Sequence, residues 1–551
     1  MTRMNSPMLL TGLATLLTGF TVFVGAARLS AEPKSELKGE AKPGGEYVSM
    51  ATDPKTEHNF EINTDFNPEI LLSSTLLTGA VVPVPQAAPD APDKNPITVR
   101  DLHAGPIHVK FQDGELRYIS VGEKEIARRL YFAVRDGNWN TAMPKFTRMD
   151  IHDQGDHFTI DLEAQCQSSA ADYHWTGTIV GKSNGTITFT ASGEPNMDFQ
   201  SNRIGLCLLL GTPSLAGQKF ETTGMAGVAN ANEFPHLVSP KLVAEKFQTL
   251  HYKIDHSNSI GNSTYKPVYN YNGMEMKAVL QGATFDMEDQ RNWGDSSYKA
   301  YAPLPYAYPS VMKGDTKQET ITLSVQHAPL IRPTISDFVT VRVGKPLTHA
   351  HIPKIGIAAE GMSENNFDGL NMDRTKQQGD PGRAWGINPS VHLPDEDNFI
   401  ENLPTIVDQA ATVRSFAPNM PLHIAPLRIR KLFDDGHRDA RNGSAFGAAW
   451  CAAVIKYLAL AGVASADFDM GPGDALNLQQ KLAGYAGKPL LDTHVDSYGQ
   501  HTYVEAFAIE ESGKPLLWLI NLSAKNQAVS YGKTTLTLSP YEVREIRSTA
   551  K

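Results

Sequence analysis

The feature that most constrains the fold is a change of sequence pattern near His349. From about residue 99 to residue 343, short apolar runs alternate with Gly, Asn and Asp turns. Residues 106–111 and 115–121, for example, flank Asp113 and Gly114. An Asp-Gly pair between two such runs predicts a tight hairpin turn. Strands at this spacing predict a large antiparallel β-sandwich over residues 98–346.

After His349 the apolar residues follow a strand–helix alternation. Apolar strands are predicted near 354–358, 422–426 and 464–468, and helices near 399–417 and 445–461. This alternation predicts an α/β layer with a parallel sheet over residues 347–490. From about residue 504 the pattern returns to β, which predicts a small C-terminal β domain over residues 491–551. The predicted fold class is a multidomain α+β protein.

The N-terminus has the layout of an export signal. Arg3 precedes an uncharged, largely apolar stretch over residues 8–27 that ends in small residues. We expect residues 1–31 to be a signal peptide or, because the stretch is long enough to cross a bilayer, an anchor. Residues 32–97 are rich in Pro, Ala and charged residues, which predicts a largely disordered linker. The protein is then exported to the periplasm or the extracellular space, with membrane contact only through that N-terminal segment.

Composition excludes several function classes. The 551 residues include 50 Lys and Arg against 60 Asp and Glu, a formal charge of −10, which argues against nucleic-acid binding. Three cysteines are too few for a disulfide scaffold or a four-cysteine zinc site. The sequence contains no HExxH motif, Walker loop or GxGxxG motif. We therefore expect no metal and no cofactor, and a small molecule or carbohydrate as the ligand. The oligomeric state is left open.

The densest polar and aromatic segment is TFDMEDQRNWGDSSYKAY, residues 284–301. Carboxylates and an arginine bind hydroxyl or carbonyl groups, and a tryptophan stacks on the apolar face of a sugar ring. The candidates in this segment are Glu288, Asp289, Arg291, Asn292, Trp293, Asp295 and Lys299. The alternative is a salt-bridged loop that joins the sandwich to its neighbour, and the residue types favour neither interpretation.

Other candidates follow predicted strands of the α/β layer, where loops at the carboxyl ends of parallel strands carry active sites. His392, in WGINPSVHLPDEDNFIE, suits general acid or base work because its ordinary pKa lies near neutral pH. Asn388 precedes it on the same loop. Asp469, in ADFDMGPGD, suits acid–base work or a helix cap. Glu360, just after the 354–358 strand, is a further candidate.

Several of these segments resemble the D-apionate lactonase family. The similarity extends over about residues 101–547. It is carried by HAGPIHVKFQDGELRYISVGEKEIARRLYFAVRDGNWNT, FQSNRIG, FDMEDQRNWGDSSYKAY, INPSVHLPDEDNFIENL, SAFGAAWCAAVIKYLALAGVAS and LLWLINLSAKNQAVSYG. The resemblance implies an N-terminal β-sandwich, a TIM-barrel-like middle domain and a C-terminal β domain. It also implies hydrolysis of a branched-chain aldonolactone to the open acid.

The resemblance also selects site residues. We expect four catalytic residues: Glu288, Arg291, His392 and Asp469, the last standing where the family pattern leads us to expect a Glu. The expected substrate-binding residues are Asp289, Asn292, Trp293, Asp295, Lys299 and Asn388. Lactone opening needs an activated water, a group that polarises the carbonyl and a proton donor for the leaving alkoxide. We assign the role of general base to His392 or Glu288 and polarisation of the carbonyl to Arg291. Trp293 and Asn292 are assigned to contact with the sugar ring.

The α/β region is too short for a full barrel. Residues 349–490 number about 140, whereas a (β/α)8 barrel needs at least about 200. We therefore expect a shortened TIM-barrel-like domain. Beside an exported lactonase-like hydrolase, two alternatives stay open: a catalytically degenerate, carbohydrate-binding family member, and a glycoside hydrolase that uses two carboxylates. If His392 and the 284–301 segment lie at one site in the structure, the lactonase hypothesis is supported.

Overall fold

The structure is a computed structural model of the chain. It describes residues 99–254, 271, 273–303, 310–329, 339–359, 362, 366–374, 385–390, 392–429, 439–496 and 503–547. The predicted signal segment, the linker and Glu360 lie outside these ranges. Within them, no helix is both long and apolar enough to cross a membrane.

The first part of the described chain consists of β-strands joined by turns and one short helix. The elements are β1 (Val99–Ala104), β2 (Ile107–Gln112), β3 (Glu115–Val121), β4 (Lys124–Asp136), β5 (Pro144–Asp153), β6 (Phe158–Gln167), β7 (Asp172–Lys182), β8 (Thr186–Pro195), β9 (Phe199–Gly211), α1 (Thr212–Leu215), β10 (Lys219–Thr223), β11 (Ala229–Glu233), β12 (Ala244–Phe247), β13 (Thr249–Lys253), β14 (Glu275–Gln281), β15 (Phe285–Asp289), β16 (Ser297–Tyr301), β17 (Ser310–Val311) and β18 (Lys317–Gln326). A 3-10 turn, Gln290–Trp293, joins β15 to β16.

These strands form two antiparallel sheets. The front sheet has the order β1-β2-β3-β4-β9-β16-β15-β12, with β17 beside β9. The back sheet has the order β11-β10-β13-β14-β18-β8-β7-β6-β5. Alternate residues of β6, β7 and β8 are buried, as expected for strands with one face against a core. The mostly β character predicted for this region is confirmed.

The two sheets pack face to face around one apolar core. Trp175 and Phe189 of the back sheet and Leu206 and Leu208 of the front sheet belong to it, each at most 1% exposed. At about 25 cal/mol per Å², burial of a tryptophan side chain contributes roughly 4–6 kcal/mol. Burial of this kind fixes which face of the front sheet points inward, and therefore which side chains point outward.

The first hairpin forms where the Asp-Gly pair predicts it. Gln112 of β2 lies opposite Glu115 of β3. Between them Asp113 and Gly114 have φ angles of 46° and 83°, and a type I′ turn requires positive φ at both central positions. A Cβ atom on Gly114 would lie 2.0 Å from the Phe146 ring, so both the turn and the packing require glycine.

After β19 (Val339–His351), strands and helices alternate. The elements are β20 (Lys354–Ile357), α2 (Phe367–Met372), β21 (Trp385–Ile387), α3 (Glu396–Glu401), α4 (Thr405–Phe416), β22 (His423–Leu427), α5 (Ala445–Leu460), β23 (Ser465–Phe468) and α6 (Asp474–Ala483). The four short strands form a parallel sheet in the order β20-β23-β22-β21. The parallel α/β layer is therefore present. A TIM barrel is not shown by these four strands, and that part stays a prediction.

The last strands form a fourth sheet, mostly antiparallel, which we call the terminal sheet. Its members besides β19 are β24 (Pro489–Asp496), β25 (Val504–Glu511), β26 (Lys514–Asn521), β27 (Gln527–Tyr531), β28 (Thr534–Leu538) and β29 (Val543–Arg547). The order is β28-β27-β19-β24-β25-β26-β29. Two of these strands cross the predicted domain boundaries, since β19 spans residue 346 and β24 spans residue 490. Trp450 of α5 shares a core with Phe507 and Trp518 of this sheet.

The outer face of the front sheet packs against the start of α3. Arg117 of β3 donates from Nη1 and Nη2 to the two carboxylate oxygens of Asp395, at 2.9 and 2.8 Å. Asp395 also caps α3 by accepting from the backbone N–H of Asn398 at 2.8 Å. A bidentate pair of this kind fixes orientation as well as distance. It therefore holds the loop after β21 against the sandwich, and side chains of both layers meet there.

Candidate active site

The front sheet carries a row of charged side chains on its outer face. In the strand register, Glu288 lies opposite Lys299, and Arg135 lies opposite Arg203. Residues two apart along a strand share a face, so these side chains lie on the side away from the sandwich core. Arg135, Arg203 and Lys299 are 6%, 4% and 3% exposed. The row is therefore both charged and largely buried.

Glu288, a predicted catalytic base, is surrounded by groups that stabilise its carboxylate. Its Oε1 accepts from Tyr301 Oη at 2.5 Å and lies 3.5 Å from Arg203 Nη2, and its Oε2 accepts from Gln290 Nε2 at 3.0 Å. Burial raises the pKa of Glu288, but Arg203, Lys299 and the hydrogen bonds outweigh burial and hold that pKa below its usual range. Glu288 is therefore an anion at neutral pH.

Lys299 lies beside two other cations. Its Nζ donates to Gln290 Oε1 at 2.7 Å, which is an amide oxygen rather than a carboxylate. Burial, and then the charges of Arg203 and Arg135, lower the pKa of Lys299 to about 7. A group with a pKa near the working pH is suited to proton transfer in both directions. Lys299 was expected to bind substrate, and its surroundings also suit it to acid–base chemistry.

Arg203 occupies the middle of the row. Its Cζ lies 3.4 Å from the centroid of the Tyr301 ring. Its Nε is buried and has no hydrogen-bond partner in the part of the chain that the structure describes. Arg135 donates from Nη1 to the backbone carbonyl of Trp139 at 3.2 Å. Burial, with the nearby charge of Arg203, lowers the pKa of Arg135, so the two guanidiniums repel each other across the strands.

Trp139 places an aromatic ring beside this row. It lies on the tight loop after β4, in which Asp136 accepts from the backbone N–H groups of Asn138 and Asn140 at 2.8 and 2.9 Å. The φ angle of Trp139 is 67°, its side chain is 44% exposed, and Arg203 Cζ lies 5.4 Å from its ring. An exposed tryptophan ring beside polar groups suits contact with a sugar ring.

His392 reaches the same region from the α/β layer. Its Nδ1 lies 2.5 Å from Asp295 Oδ2, and Asp295 Oδ1 accepts from Asn402 Nδ2 at 3.0 Å. Burial lowers the pKa of His392 to about 4, although Asp295 acts in the opposite direction. The imidazole is therefore neutral at neutral pH. The contact with Asp295 is close but is not aligned as a hydrogen bond, since Nδ1 has no hydrogen-bond partner among the described residues, and a neutral imidazole offers one ring nitrogen as a proton acceptor.

The two segments that the sequence singled out therefore meet. Asp295 belongs to the 284–301 segment and contacts His392 directly. Lys299 and Arg135 both contribute to the lowered pKa of His392, which places them nearby. We call Arg135, Arg203, Glu288, Lys299 and His392 the polar site.

Arg291, predicted to polarise a carbonyl, uses its guanidinium N–H groups within the protein. It is fully buried, and it donates to Asp289 from Nε and Nη2 at 2.9 and 2.8 Å and to Asp408 at 3.0 Å. It also donates to the backbone carbonyls of Pro235 and His236 at 2.7 and 2.9 Å. These bonds join the front sheet to α4. The position of Arg291 is that of the salt-bridged loop, which was the alternative interpretation of this segment.

Asn292 belongs to the same set of buried contacts as Arg291, between the front sheet and the α/β layer. Its Nδ2 donates to the backbone carbonyl of Ser239 at 2.7 Å, and its Oδ1 accepts from Asn371 at 2.8 Å. Asp289 accepts from the backbone N–H of Ser239 at 2.9 Å. Trp293, at the end of the same 3-10 turn, is half-buried. Within the 284–301 segment, some side chains thus make buried structural contacts, and others belong to the polar site.

Asn388 and Asp469 lie at the carboxyl ends of parallel strands. Asn388 follows β21, and its Oδ1 accepts from the N–H and the hydroxyl of Ser390 at 3.2 and 2.8 Å. Asp469 follows β23, and its Oδ2 lies 3.8 Å from Arg428 Nη1. Both therefore stand on the edge of the parallel sheet rather than on the front sheet. Across the described ranges, no three His, Cys, Asp or Glu side chains cluster closely enough to hold a metal ion.

Sequence reasoning did not single out Arg135, Arg203 or Trp139. Arg135 and Trp139 lie in the segment YFAVRDGNWN, and Arg203 lies in FQSNRIG. The available signal was the alternation in β4, where Arg129, Tyr131 and Arg135 share one face with period two. Such a face is unusually polar for a strand that is buried along most of its length.

Two family models match this chain, one in the β-sandwich region and one in the C-terminal β region. A family model described as the N-terminal domain of D-apionate lactonase matches residues 89–328. A second model, described as the C-terminal immunoglobulin-like domain of D-apionate lactonase, matches residues 502–546. The chain belongs to the D-apionate lactonase family. The resemblance seen in the sequence motifs is thereby confirmed.

A D-apionate lactonase of Brucella anthropi is 28% identical to this chain over 262 residues. The match spans 46% of this chain and 40% of that lactonase. Arg135, Arg203, Glu288 and Lys299 fall within the matched N-terminal domain. His392 falls in neither matched range.

Solved structures give weaker likenesses. A galactose 1-epimerase from Lactobacillus acidophilus has a TM-score of 0.24 and 6% identity, and covers 42% of this chain and 94% of its own. An alpha-N-acetylgalactosaminidase from Bifidobacterium bifidum has a TM-score of 0.22 and 11% identity, and covers 63% of this chain and 60% of its own. Scores of this size establish neither a shared fold nor a shared function.

Proposed function

We propose that the protein is an exported lactonase-like hydrolase that opens an aldonolactone of the D-apionolactone type to the free acid. Family membership supports the reaction class. The contact between His392 and Asp295 carries the assignment of the site, because it joins the two candidate segments. Export rests on the layout of residues 1–31.

His392 acts as the general base. Its neutral imidazole takes a proton from water at Nε2 while the water oxygen forms a bond to the lactone carbonyl carbon. Asp295, 2.5 Å from Nδ1, holds the ring and stabilises the imidazolium that forms. A His392 pKa of about 4 keeps the base unprotonated at neutral pH, and without the opposing effect of Asp295 that pKa would be lower still.

The cations of the front sheet serve the rest of the reaction. Arg203, whose buried Nε has no partner among the described residues, stabilises the negative charge on the carbonyl oxygen in the tetrahedral intermediate. The ring C–O bond then breaks, and protonated Lys299 gives its proton to the leaving alkoxide. Glu288 accepts hydrogen bonds from substrate hydroxyls, since its side chain is 20% exposed. Arg291 is left out because its donors are used within the protein.

We also infer that the parallel sheet is a sector of a TIM-like barrel. In a closed barrel the first strand pairs with the second and also with the last. Here β20 comes first along the chain and pairs with β23, the last, while β21, β22 and β23 are neighbours in chain order. This is the order of a barrel from which the strands between β20 and β21 are missing. The order supports the shortened TIM-barrel-like domain that the sequence predicted.

The proposed function is tested by hydrolysis of a panel of aldonolactones by purified protein, with D-apionolactone included. Residual lactone is measured as its hydroxamate, and the spontaneous rate is subtracted. We expect His392→Ala to lower kcat/KM about 10²- to 10⁴-fold, the usual contribution of a general base. His423→Ala is the matched control, because His423 is a half-buried histidine of β22 that bonds to Ser465.

A wild-type rate equal to the spontaneous one over the whole panel would refute the hydrolase. If the protein still binds aldonates in that case, the degenerate, carbohydrate-binding alternative is favoured. Release of reducing sugar from a glycoside, with no lactone opening, favours the glycoside hydrolase. Equal losses in His392→Ala and His423→Ala remove His392 from the mechanism.

A further inference from the structure

Buried cations outnumber buried anions in the polar site. Arg135, Arg203 and Lys299 share the outer face of the front sheet with Glu288, and Asp295 adds a second carboxylate whose charge acts on Arg135. Asp286, on the same face of β15, accepts from the backbone N–H of Lys246. The other arginines of β3 and β4 each have an acidic partner: Arg117 pairs with Asp395, Arg128 with Glu125 and Arg129 with Glu115. The excess positive charge is therefore confined to one place on the sheet.

The donors of these three cations are only partly used. Arg135 and Lys299 bond to neutral oxygens, the carbonyl of Trp139 and the side chain of Gln290. Arg203 is 4% exposed, and its Nε has no partner among the described residues.

Asp295, the next carboxylate, has its two oxygens directed at His392 and Asn402. A buried charge without a counter-charge is costly to retain, so the missing anion is expected to come from a ligand.

We propose that Arg135, Arg203 and Lys299 form a binding site for the carboxylate of a polyhydroxy acid. Guanidinium groups match a carboxylate geometrically, since their N–H donors form a planar fork. Glu288, beside the cations, accepts from hydroxyl groups next to that carboxylate, and the Trp139 ring flanks Arg203. The ligand class is then an aldonate or another sugar acid, rather than an uncharged sugar.

This inference rests on the proposed function only in identifying which sugar acid is bound. A carboxylate arrives from two sources: the newly opened product, or a second carboxyl group already present on the lactone. Lactones with and without that second group distinguish the two sources. A lower KM for the carboxylated lactone assigns the site to the substrate. Equal KM values, with inhibition by the open acid, assign it to the product.

The test is isothermal titration calorimetry on the full chain at pH 6 with D-gluconate and D-glucitol. The two probes differ only in a carboxylate against a hydroxymethyl group. We expect D-gluconate to bind at least about tenfold more tightly, since hydrogen bonds to charged groups contribute about 1.5–3 kcal/mol. Arg203→Met should abolish the difference. Arg148→Met, at an exposed arginine of β5, should leave it unchanged.

Glu288→Gln gives an opposite and more specific result. Removal of the competing carboxylate should raise the ratio of D-gluconate affinity to D-glucitol affinity; only this ratio is compared, because the hydroxyl groups of both probes lose the same acceptor. Thermal melts of each variant show whether it folds, and the wild-type comparison of the two probes decides the question without any variant.

Equal affinity for the two probes overturns the proposal, as does a preference for inorganic phosphate over D-gluconate. Binding without lactone opening would refute the proposed function alone, and lactone opening without anion preference would refute this inference alone.

Discussion

Substitution of Lys299 by methionine tests the site through both activity and stability. The wild-type profile is expected to be bell-shaped, because His392 must be neutral and Lys299 protonated. With pKa values of about 4 and about 7, kcat/KM should be highest near pH 5.5 and fall about fivefold between pH 7 and pH 8. Lys299→Met should lower the maximum about 10²- to 10⁴-fold and remove the fall above pH 7, while the fall below pH 4 stays.

Lys299→Met should increase stability although it decreases activity. Lowering the Lys299 pKa from 10.5 to about 7 means that its protonated form costs about 5 kcal/mol more in the folded protein than in the unfolded chain. Methionine removes this cost. Below pH 7, Lys299→Met should therefore raise the free energy of unfolding, by up to about 5 kcal/mol. The gain should shrink as the pH rises from 7 toward 10.5, because the wild-type lysine is then neutral in the folded state.

The assays are lactone consumption from pH 3.5 to pH 8.5 and urea unfolding at pH 6 and pH 9. Lys253→Met is the control, since Lys253 has a 73% exposed side chain and pairs with Glu275 on the back sheet. A wild-type profile without a decline above pH 7 would contradict the role of Lys299 as acid. A variant that is destabilised equally at pH 6 and pH 9 would contradict the lowered pKa.

Three further substitutions test the roles of neighbouring groups. Asp295→Asn removes the charge that stabilises protonated His392, and we expect kcat/KM to fall about 10²- to 10⁴-fold in lactone assays with little change in KM. Arg291→Met leaves buried Asp289 without its cation, and we expect the free energy of urea unfolding to fall by about 3–5 kcal/mol. Trp139→Ala removes an exposed ring, and we expect KM to rise about 3- to 10-fold with kcat unchanged.

Each result has a control and a contradicting outcome. A large rise in KM for Asp295→Asn, with kcat unchanged, would make Asp295 a binding residue instead. Arg148→Met, at an exposed arginine, should cost well under 1 kcal/mol, and a similar small loss for Arg291→Met would refute its structural role. Met225→Ala, at a 77% exposed methionine, should leave KM unchanged, and unchanged kinetics in Trp139→Ala would exclude contact with the sugar.

Local patterns predicted much of the fold. The Asp113–Gly114 hairpin and the alternating burial in β6–β8 follow from rules that act over a few residues. The pairing of β19 with β24 and β27 joins distant parts of the chain, and no local pattern specifies it. The predicted boundary at residue 346 consequently falls inside β19.

The candidate site was predictable by segment but not by side chain. Glu288 and Asp289 are neighbours on β15, and successive strand residues point to opposite faces. Glu288 therefore joins the polar site, while Asp289 joins the buried pair with Arg291. The sequence does not state the strand register, and a shift of one residue would exchange the two roles. Arg203 and Arg135 were missed for the same reason.

The shortened α/β layer does not by itself imply a lost activity. Four of the five residues of the polar site (Arg135, Arg203, Glu288 and Lys299) stand on the front sheet. The parallel sheet contributes His392, on a loop that the Arg117–Asp395 pair holds against the sandwich. β20 and β21 are the two edge strands of the parallel sheet, so the loop after β21 lies at the edge where further barrel strands would continue. The reaction proposed here thus depends on the sandwich and one loop, and both are retained in this chain.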